Sequence, residues 1–71
     1  MKEEGMNILI TGGGGSLGTA FARRLYKEHR VTILDQNEWS LAACTLPVEK
    51  LLMDFVDWRY CDHPCDVVIH C

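Results

Sequence analysis

The chain has 71 residues, a formal net charge of −3 and 48% apolar residues. A chain of this length buries only about 60% of the surface that its unfolded form exposes, so it can form one layered unit at most. The apolar content and the small charge predict a globular protein and exclude a strongly basic surface that would bind nucleic acid.

The apolar runs are too short to cross a bilayer, which takes about 20 consecutive apolar residues. The longest runs include residues 8–10 and 67–69. Residues 1–5 are acidic and match neither a signal peptide nor a transit peptide, and we expect a flexible tail there. The expectation is therefore a cytoplasmic protein that does not contact a membrane.

The first half of the chain predicts a βαβ unit. Residues 6–10 are a near-continuous apolar run that ends at Thr11 and four glycines, a pattern typical of a strand buried on both faces. Residues 16–29 have helical spacing, and Leu17, Phe21 and Leu25 form the expected apolar stripe. Residues 31–34 are β-branched and apolar, which predicts a second strand closed by Asp35.

The second half predicts shorter elements. Asn37 is placed to cap a short helix that runs to Ala43, and Pro47 prevents that helix from continuing far. Residues 51–53 predict a third strand, and residues 54–64 a short helical or irregular crossover. Residues 66–70 have the profile of a fourth buried strand.

The most informative motif is the segment 11–18, Thr-Gly-Gly-Gly-Gly-Ser-Leu-Gly, between the first strand and the first helix. In Rossmann folds a dinucleotide pyrophosphate binds at this place, against unpaired N–H groups at the start of the helix. Gly12 would form the tight turn, Gly15 would let a phosphate approach the backbone, and Gly18 would allow close packing of helix on strand. Ser16 and Leu17 belong to the same helix start.

The glycine run could also be interpreted as a flexible turn or as a P-loop. A glycine run can be a flexible turn without a ligand, but its position between a strand and a helix favours the dinucleotide site. A P-loop requires a lysine followed by Ser or Thr after the last glycine, whereas Gly18 is followed by Thr19 and Ala20.

Asp35 ends the second strand, 17 residues after Gly18. An acid at this position would accept hydrogen bonds from the ribose hydroxyls of adenosine and would repel a 2′-phosphate. Gln36 and Asn37 follow it in place of an arginine, so NAD is favoured over NADP. Together these features predict an α/β protein with a partial Rossmann fold, whose parallel sheet has about four strands and a glycine-rich first βα turn.

Cysteine and histidine are concentrated near the C-terminal end. Cys61 and Cys65 have the spacing of a zinc-ligand pair, but no second pair stands at a finger-like distance, so no metal site is predicted. Without a secretion signal the cysteines are expected to be thiols. The residues considered were Cys44, Cys61, His63, Cys65, His70 and Cys71.

These motifs resemble the extended short-chain dehydrogenase/reductase family, which contains nucleotide-sugar epimerases and dehydratases. The glycine pattern and the acid after the second strand match that family. The run Asp54-Phe55-Val56-Asp57 is similar to its motif after the third strand, and Asp66-Val67-Val68-Ile69-His70 to its fourth strand. The resemblance implies that Asp54 and Phe55 bracket the adenine ring. The Ser-Leu-Gly ending of the loop is similar to the branch that modifies UDP-linked amino sugars for surface polysaccharides.

The resemblance also implies a catalytic tyrosine with a lysine four residues later, and this chain has no such pair. Tyr26 is followed at that distance by Arg30, and Tyr60 by Pro64. His70 is expected to be structural or to lie near the cofactor. No catalytic residue is therefore predicted.

The leading hypothesis treats residues 1–71 as the truncated N-terminal part of an NAD(P)-binding Rossmann domain, in an epimerase or dehydratase whose nucleotide-sugar site lies in a longer chain. The alternative is a complete miniature module that binds a nucleotide without chemistry.

Overall fold

The computed structural model describes residues 5–12, 14–59 and 65–71. Strands and helices alternate along the chain, as the sequence predicts. The elements are β1 (Asn7–Thr11), α1 (Ser16–Leu25), β2 (Arg30–Asp35), α2 (Glu38–Ala43), β3 (Glu49–Leu52), α3 (Phe55–Arg59) and β4 (Val67–His70).

The four strands form one parallel sheet in the order β3-β2-β1-β4. The first two crossovers move in one direction across the sheet, and the third returns past β1 to place β4 on its other side. The order therefore reverses beside β1, as in a Rossmann fold. The predicted α/β class, with a parallel sheet of four strands, is confirmed.

The core lies against the two central strands. Ile10 and Ile33 are fully buried at paired positions of β1 and β2, and Ile8 and Val31 form a second buried pair. Ala22 of α1 and Leu41 of α2 belong to the same buried cluster. The continuous apolar runs of β1 and β2 thus reflect strands with neighbours on both sides, as expected for parallel sheets.

The predicted apolar stripe of α1 is wrong at Leu17 and Phe21, whereas its third member, Leu25, is half-buried and packs against the core. Leu17 and Phe21 are 61% and 37% exposed, whereas the buried residues of the helix are Gly18 and Ala22. Small side chains face the sheet because they allow the helix to approach the strands closely. Leu17 and Phe21 consequently lie on the outer side.

Helix α1 also ends at Leu25, four residues before the predicted end at His29. The N–H groups of Glu28 and His29 both donate to the carbonyl of Leu25, which closes the helix with a turn. Arg30 N–H then donates to the carbonyl of Met6 and starts β2 beside β1. Strand pairing therefore overrides the helical pattern of residues 26–29.

Strand boundaries differ from the prediction by one or two residues. β3 covers Glu49–Leu52 where residues 51–53 were predicted, because its pairing with β2 begins at Glu49 opposite Thr32. β4 was predicted to be buried, which is wrong: its residues alternate between half-buried and exposed. A strand at the edge of a sheet has a neighbour on one side alone, which leaves its side chains less covered.

The two short helices begin with side-chain caps. The Asn37 carboxamide oxygen accepts hydrogen bonds from the N–H groups of Trp39 and Ser40, which confirms the predicted cap. α3 lies within the predicted crossover 54–64, of which residues 60–64 lie outside the described residues. Among the described helices, none has the length and apolar character that crossing a membrane requires.

Candidate functional site

The residues singled out by sequence meet at the carboxyl edge of the sheet. Gly12 follows β1, Asp35 ends β2, and Asp54 follows β3. The β1/β4 boundary, where the strand order reverses, lies at the same edge. Open parallel sheets bind their ligands outside the carboxyl ends of the strands at such a reversal.

The glycine loop starts with a left-handed turn. Gly12 has φ of +67°, and no other described residue has a positive φ. Its N–H donates to the carbonyl of Leu34 at 2.7 Å, and its carbonyl accepts the N–H of Gly15 at 3.2 Å. A β-carbon at Gly12 would lie 2.8 Å from the carbonyl oxygen of Cys71. Both the conformation and the close approach of β4 therefore require glycine here.

Gly15 is the N-cap residue of α1, with extended backbone and no side-chain cap. The first helical hydrogen bond runs from Thr19 N–H to the Gly15 carbonyl, so the N–H groups of Ser16, Leu17 and Gly18 precede it. The first turn of α1 contains no acidic residue, while Arg23 and Arg24 occupy its last turn. No acidic side chain of α1 itself therefore compensates the positive end of the helix dipole.

Asp35 connects this loop to the second strand. One carboxylate oxygen accepts the N–H of Gly14 at 3.3 Å, and the other accepts the N–H of Asn37 at 2.9 Å. A β-carbon at Gly14 would lie 2.6 Å from Ser40, so the loop also approaches α2 closely. The carboxylate is half-buried and fixed in direction beside the glycine loop.

A cleft of about 330 Å³ opens between these elements. Its wall includes Phe55, whose ring lies 5.5 Å from Trp58 in a stacked arrangement and 5.7 Å from His70. Asp54 also lines the cleft, and its carboxylate accepts the N–H of Val56 at 2.9 Å as a cap for α3. The lining residues are Thr11, Gly12, Leu34, Asp35, Gln36, Asp54, Phe55, Val56, His70 and Cys71.

Two contributions to this cleft are not evident from the sequence motifs. Thr11 Oγ1 lies 2.5 Å from His70 Nδ1, and Cys71 brings its carbonyl close to Gly12. The signal that could reveal them is strand register. Thr11 and His70 are partners across β1 and β4, which follows once β4 is paired with β1.

A larger cleft, of about 390 Å³, lies towards the amino ends of the strands. It is lined by Tyr26, His29 and Arg30 among others, and neither the glycine loop nor Asp35 contributes to it. Because Gly12 and Asp35 line the smaller cleft, at the edge where the strand order reverses, we place the candidate site there despite the difference in size.

The sequence predicts no metal site at the cysteines and histidines, but some of these residues lie outside the described part of the chain. Cys61 and His63 are not described, whereas Cys44, Cys65 and Cys71 are free thiols. Within the described part of the chain, no three His, Cys, Asp or Glu side chains are grouped so that they could hold a metal ion. Tyr60, considered above as a catalytic candidate, also lies outside it.

A family model described as polysaccharide biosynthesis protein matches residues 8–58, which is more than half of the chain. The match starts in β1 and ends in α3, so it contains the glycine loop, Asp35 and Phe55. The chain belongs to this polysaccharide biosynthesis family. No curated protein matches the chain.

Membership of the polysaccharide biosynthesis family agrees with the branch to which the glycine loop is similar. The family match rests on residue types, and the fold is described by strand order. Both concern the same segment, from the first strand to the helix after the third.

Proposed function

We propose that this member of the polysaccharide biosynthesis family binds NAD at the carboxyl edge of its sheet. By its resemblance to the extended short-chain dehydrogenases/reductases, the chain would be the cofactor-binding portion of a nucleotide-sugar epimerase or dehydratase. The observation that carries the proposal is that Gly12, Asp35 and Asp54 line one cleft at the strand-order reversal, and that the glycine loop leads from this cleft to the uncapped start of α1.

The backbone at Gly15 is open to the approach of a ligand such as a pyrophosphate. A β-carbon at Gly15 would meet one neighbouring atom, the Gly12 carbonyl oxygen at 3.5 Å, so the protein itself does not require glycine there. A ligand that approaches the backbone would explain the residue. The N–H groups of Ser16, Leu17 and Gly18 would then donate to phosphate oxygens, aided by the helix dipole.

Asp35 supports NAD over NADP. Its carboxylate is held beside the loop by two backbone N–H groups, and each carboxylate oxygen can accept more than one hydrogen bond. Ribose hydroxyls could therefore donate to it while the loop contacts remain. A 2′-phosphate would bring negative charge against this carboxylate, and the next residues, Gln36 and Asn37, carry no compensating charge.

Phe55 and Asp54 would contact the adenine end of the cofactor. The Phe55 ring is part of the cleft wall and is supported by Trp58 behind it. When bound, NAD would supply reversible hydride transfer, by which enzymes of this class oxidise a sugar carbon and reduce it again. The residues of this chain would bind and orient the cofactor.

Calorimetric titration of the purified chain with NAD and with NADP tests the proposal. We expect NAD to bind more tightly than NADP, and Asp35→Ala to weaken NAD binding by roughly tenfold or more, the value of a hydrogen bond to a charged group.

Asp66→Ala is the matched control. Asp66 also accepts a backbone N–H, that of Asn7 at 2.8 Å, but at the amino edge of the sheet. This variant should retain the NAD affinity of the parent chain. Equal binding of NADP, or an unchanged affinity in Asp35→Ala, would contradict the proposed role of Asp35; the absence of any NAD binding would contradict the function itself.

A further inference from the structure

We propose that His70 is a positioning residue for the glycine turn, acting through Thr11. In this arrangement the neutral imidazole accepts the Thr11 hydroxyl hydrogen at Nδ1 and carries its own hydrogen on Nε2. The inference rests on the proposed function, because it assigns His70 a part in presenting the loop to the dinucleotide.

Thr11 has a buried hydroxyl that must find a hydrogen-bond acceptor. This residue ends β1, is 2% exposed, and immediately precedes the left-handed Gly12. A buried hydroxyl has one hydrogen that needs an acceptor. Within the described part of the chain, the partner of Thr11 Oγ1 is His70 Nδ1, at 2.5 Å.

The tautomer of His70 decides whether the Thr11 hydroxyl can donate its hydrogen to Nδ1. If Nδ1 accepts, the Thr11 hydrogen is paired and the ring must carry its hydrogen on Nε2. If Nδ1 were protonated, it would donate to Oγ1 and leave the Thr11 hydrogen without the acceptor that burial requires. The geometry therefore assigns the Nε2–H form to His70.

The connection between β4 and the glycine turn also involves the backbone. Cys71 N–H donates to the Thr11 carbonyl at 3.0 Å, and the Cys71 carbonyl oxygen would lie 2.8 Å from a β-carbon at Gly12. The Thr11–His70 side-chain bond adds a third contact at the same level of the sheet. The end of β4 thus holds the position from which the glycine turn departs.

The position of the His70 ring relative to the cleft also bears on this role. His70 lines the cleft, and its ring lies 5.7 Å from that of Phe55 at 55°. One residue therefore contacts both the wall proposed for the adenine end and the strand end that leads into the pyrophosphate loop. Loss of the Thr11 bond should loosen the loop while leaving Phe55 in place.

The test combines the ring tautomer with NAD affinity in the full 71-residue chain. Nitrogen NMR of the imidazoles reports which ring nitrogen carries hydrogen, and the His70 signals are assigned by their loss in His70→Asn. We expect Nε2–H in the free chain and a changed His70 signal in Thr11→Val, which keeps the shape of Thr11 but removes the hydroxyl.

Four variants separate positioning from bulk structure. Thr11→Val and His70→Gln, whose amide extends towards the Nε2 position, should each weaken NAD binding about three- to tenfold, the value of one hydrogen bond. Thr11→Ser keeps the hydroxyl and His70→Asn places a polar atom near the Nδ1 position, so both should stay within about twofold to threefold of the parent.

Several results would overturn the inference. They are an Nδ1–H ring in the free chain, equal NAD affinity in all variants, and variants that lower the unfolding temperature without changing NAD affinity. If the parent chain binds no NAD, the proposed function fails and the positioning role fails with it, and the tautomer measurement alone then decides the Thr11–His70 assignment.

Discussion

At Gly12 two separate constraints select the same residue. Its φ of +67° is disfavoured for any side chain, and the carbonyl oxygen of Cys71 occupies the space that a β-carbon would fill. At Gly15 neither constraint applies, because its backbone is extended and its surroundings are open. The fold therefore requires glycine at position 12, whereas the glycine at position 15 is explained by the proposed ligand.

Alanine substitution at Gly12 and at Gly15 should separate an effect on folding from an effect on ligand binding. Gly12→Ala is expected to lower the free energy of unfolding by about 1–2 kcal/mol or more, from the left-handed conformation and the clash with β4. Gly15→Ala should leave stability unchanged or raise it by up to about 1 kcal/mol, because it restricts the unfolded chain, and should weaken NAD binding instead. Urea denaturation and calorimetric titration measure the two effects. A Gly15→Ala variant that binds NAD as the parent does would contradict the role given to Gly15.

The sequence was sufficient to predict the position of Asp35 in the fold but not the hydrogen bonds that its carboxylate accepts. Its distance from the glycines and its place after an apolar run predicted an acid at the end of β2, and the structure has it there. The hydrogen bond from Gly14 N–H could not be predicted, since it depends on how the loop folds back between α1 and α2. The Thr11–His70 contact similarly depends on pairing between strands that are 59 residues apart.

At the scale of elements, β1 and β2 were the most predictable parts. Their apolar runs are continuous because they are the central strands of a parallel sheet, and tertiary context and local pattern agree there. The sequence predicted that α1 is a helix, but it did not predict which face of the helix packs against the sheet. A large apolar residue is usually taken as the core position, yet here close packing on the sheet selects Gly18 and Ala22.

Substitutions on α1 test this assignment. Ala22 is fully buried, so Ala22→Leu should overpack the helix–sheet contact and reduce the free energy of unfolding by about 1–3 kcal/mol. Leu17→Ala, at a residue that is 61% exposed, should change stability by less than about 0.5 kcal/mol. Thermal or urea unfolding followed by circular dichroism gives both values. A larger loss in Leu17→Ala than in Ala22→Leu would restore the stripe expected from the sequence.

The ends of the shorter elements were less predictable for a physical reason. β3 and β4 have a neighbouring strand on one side only, so partly exposed side chains replace the continuous apolar pattern. The end of α1 was misplaced because pairing of Arg30 with Met6 stops a helix whose local sequence would allow another turn. In each case a contact distant in sequence decided the boundary.

At the scale of the whole molecule, the parallel sheet brings residues from distant segments of the chain together at its carboxyl edge. The residues after β1, β2 and β3 and the end of β4 all border the same cleft. The opposite end of the strands has a larger cleft, but its lining residues come mainly from the turn after α1 and from the first three strands, and none comes from the glycine loop. Function is therefore assigned by strand direction and backbone donors rather than by cleft volume.

The binding site is tested most directly by mapping backbone amide NMR shifts in the full chain on titration with NAD. We expect the affected amides to cluster at the carboxyl edge, at Gly12, Ser16 to Gly18, Asp35 and Phe55, while those of Asn7, Arg30 and Asp66 at the amino edge stay unchanged. Shifts concentrated at the amino edge, or no saturable shifts anywhere, would contradict the central claim that this edge of the sheet binds the dinucleotide.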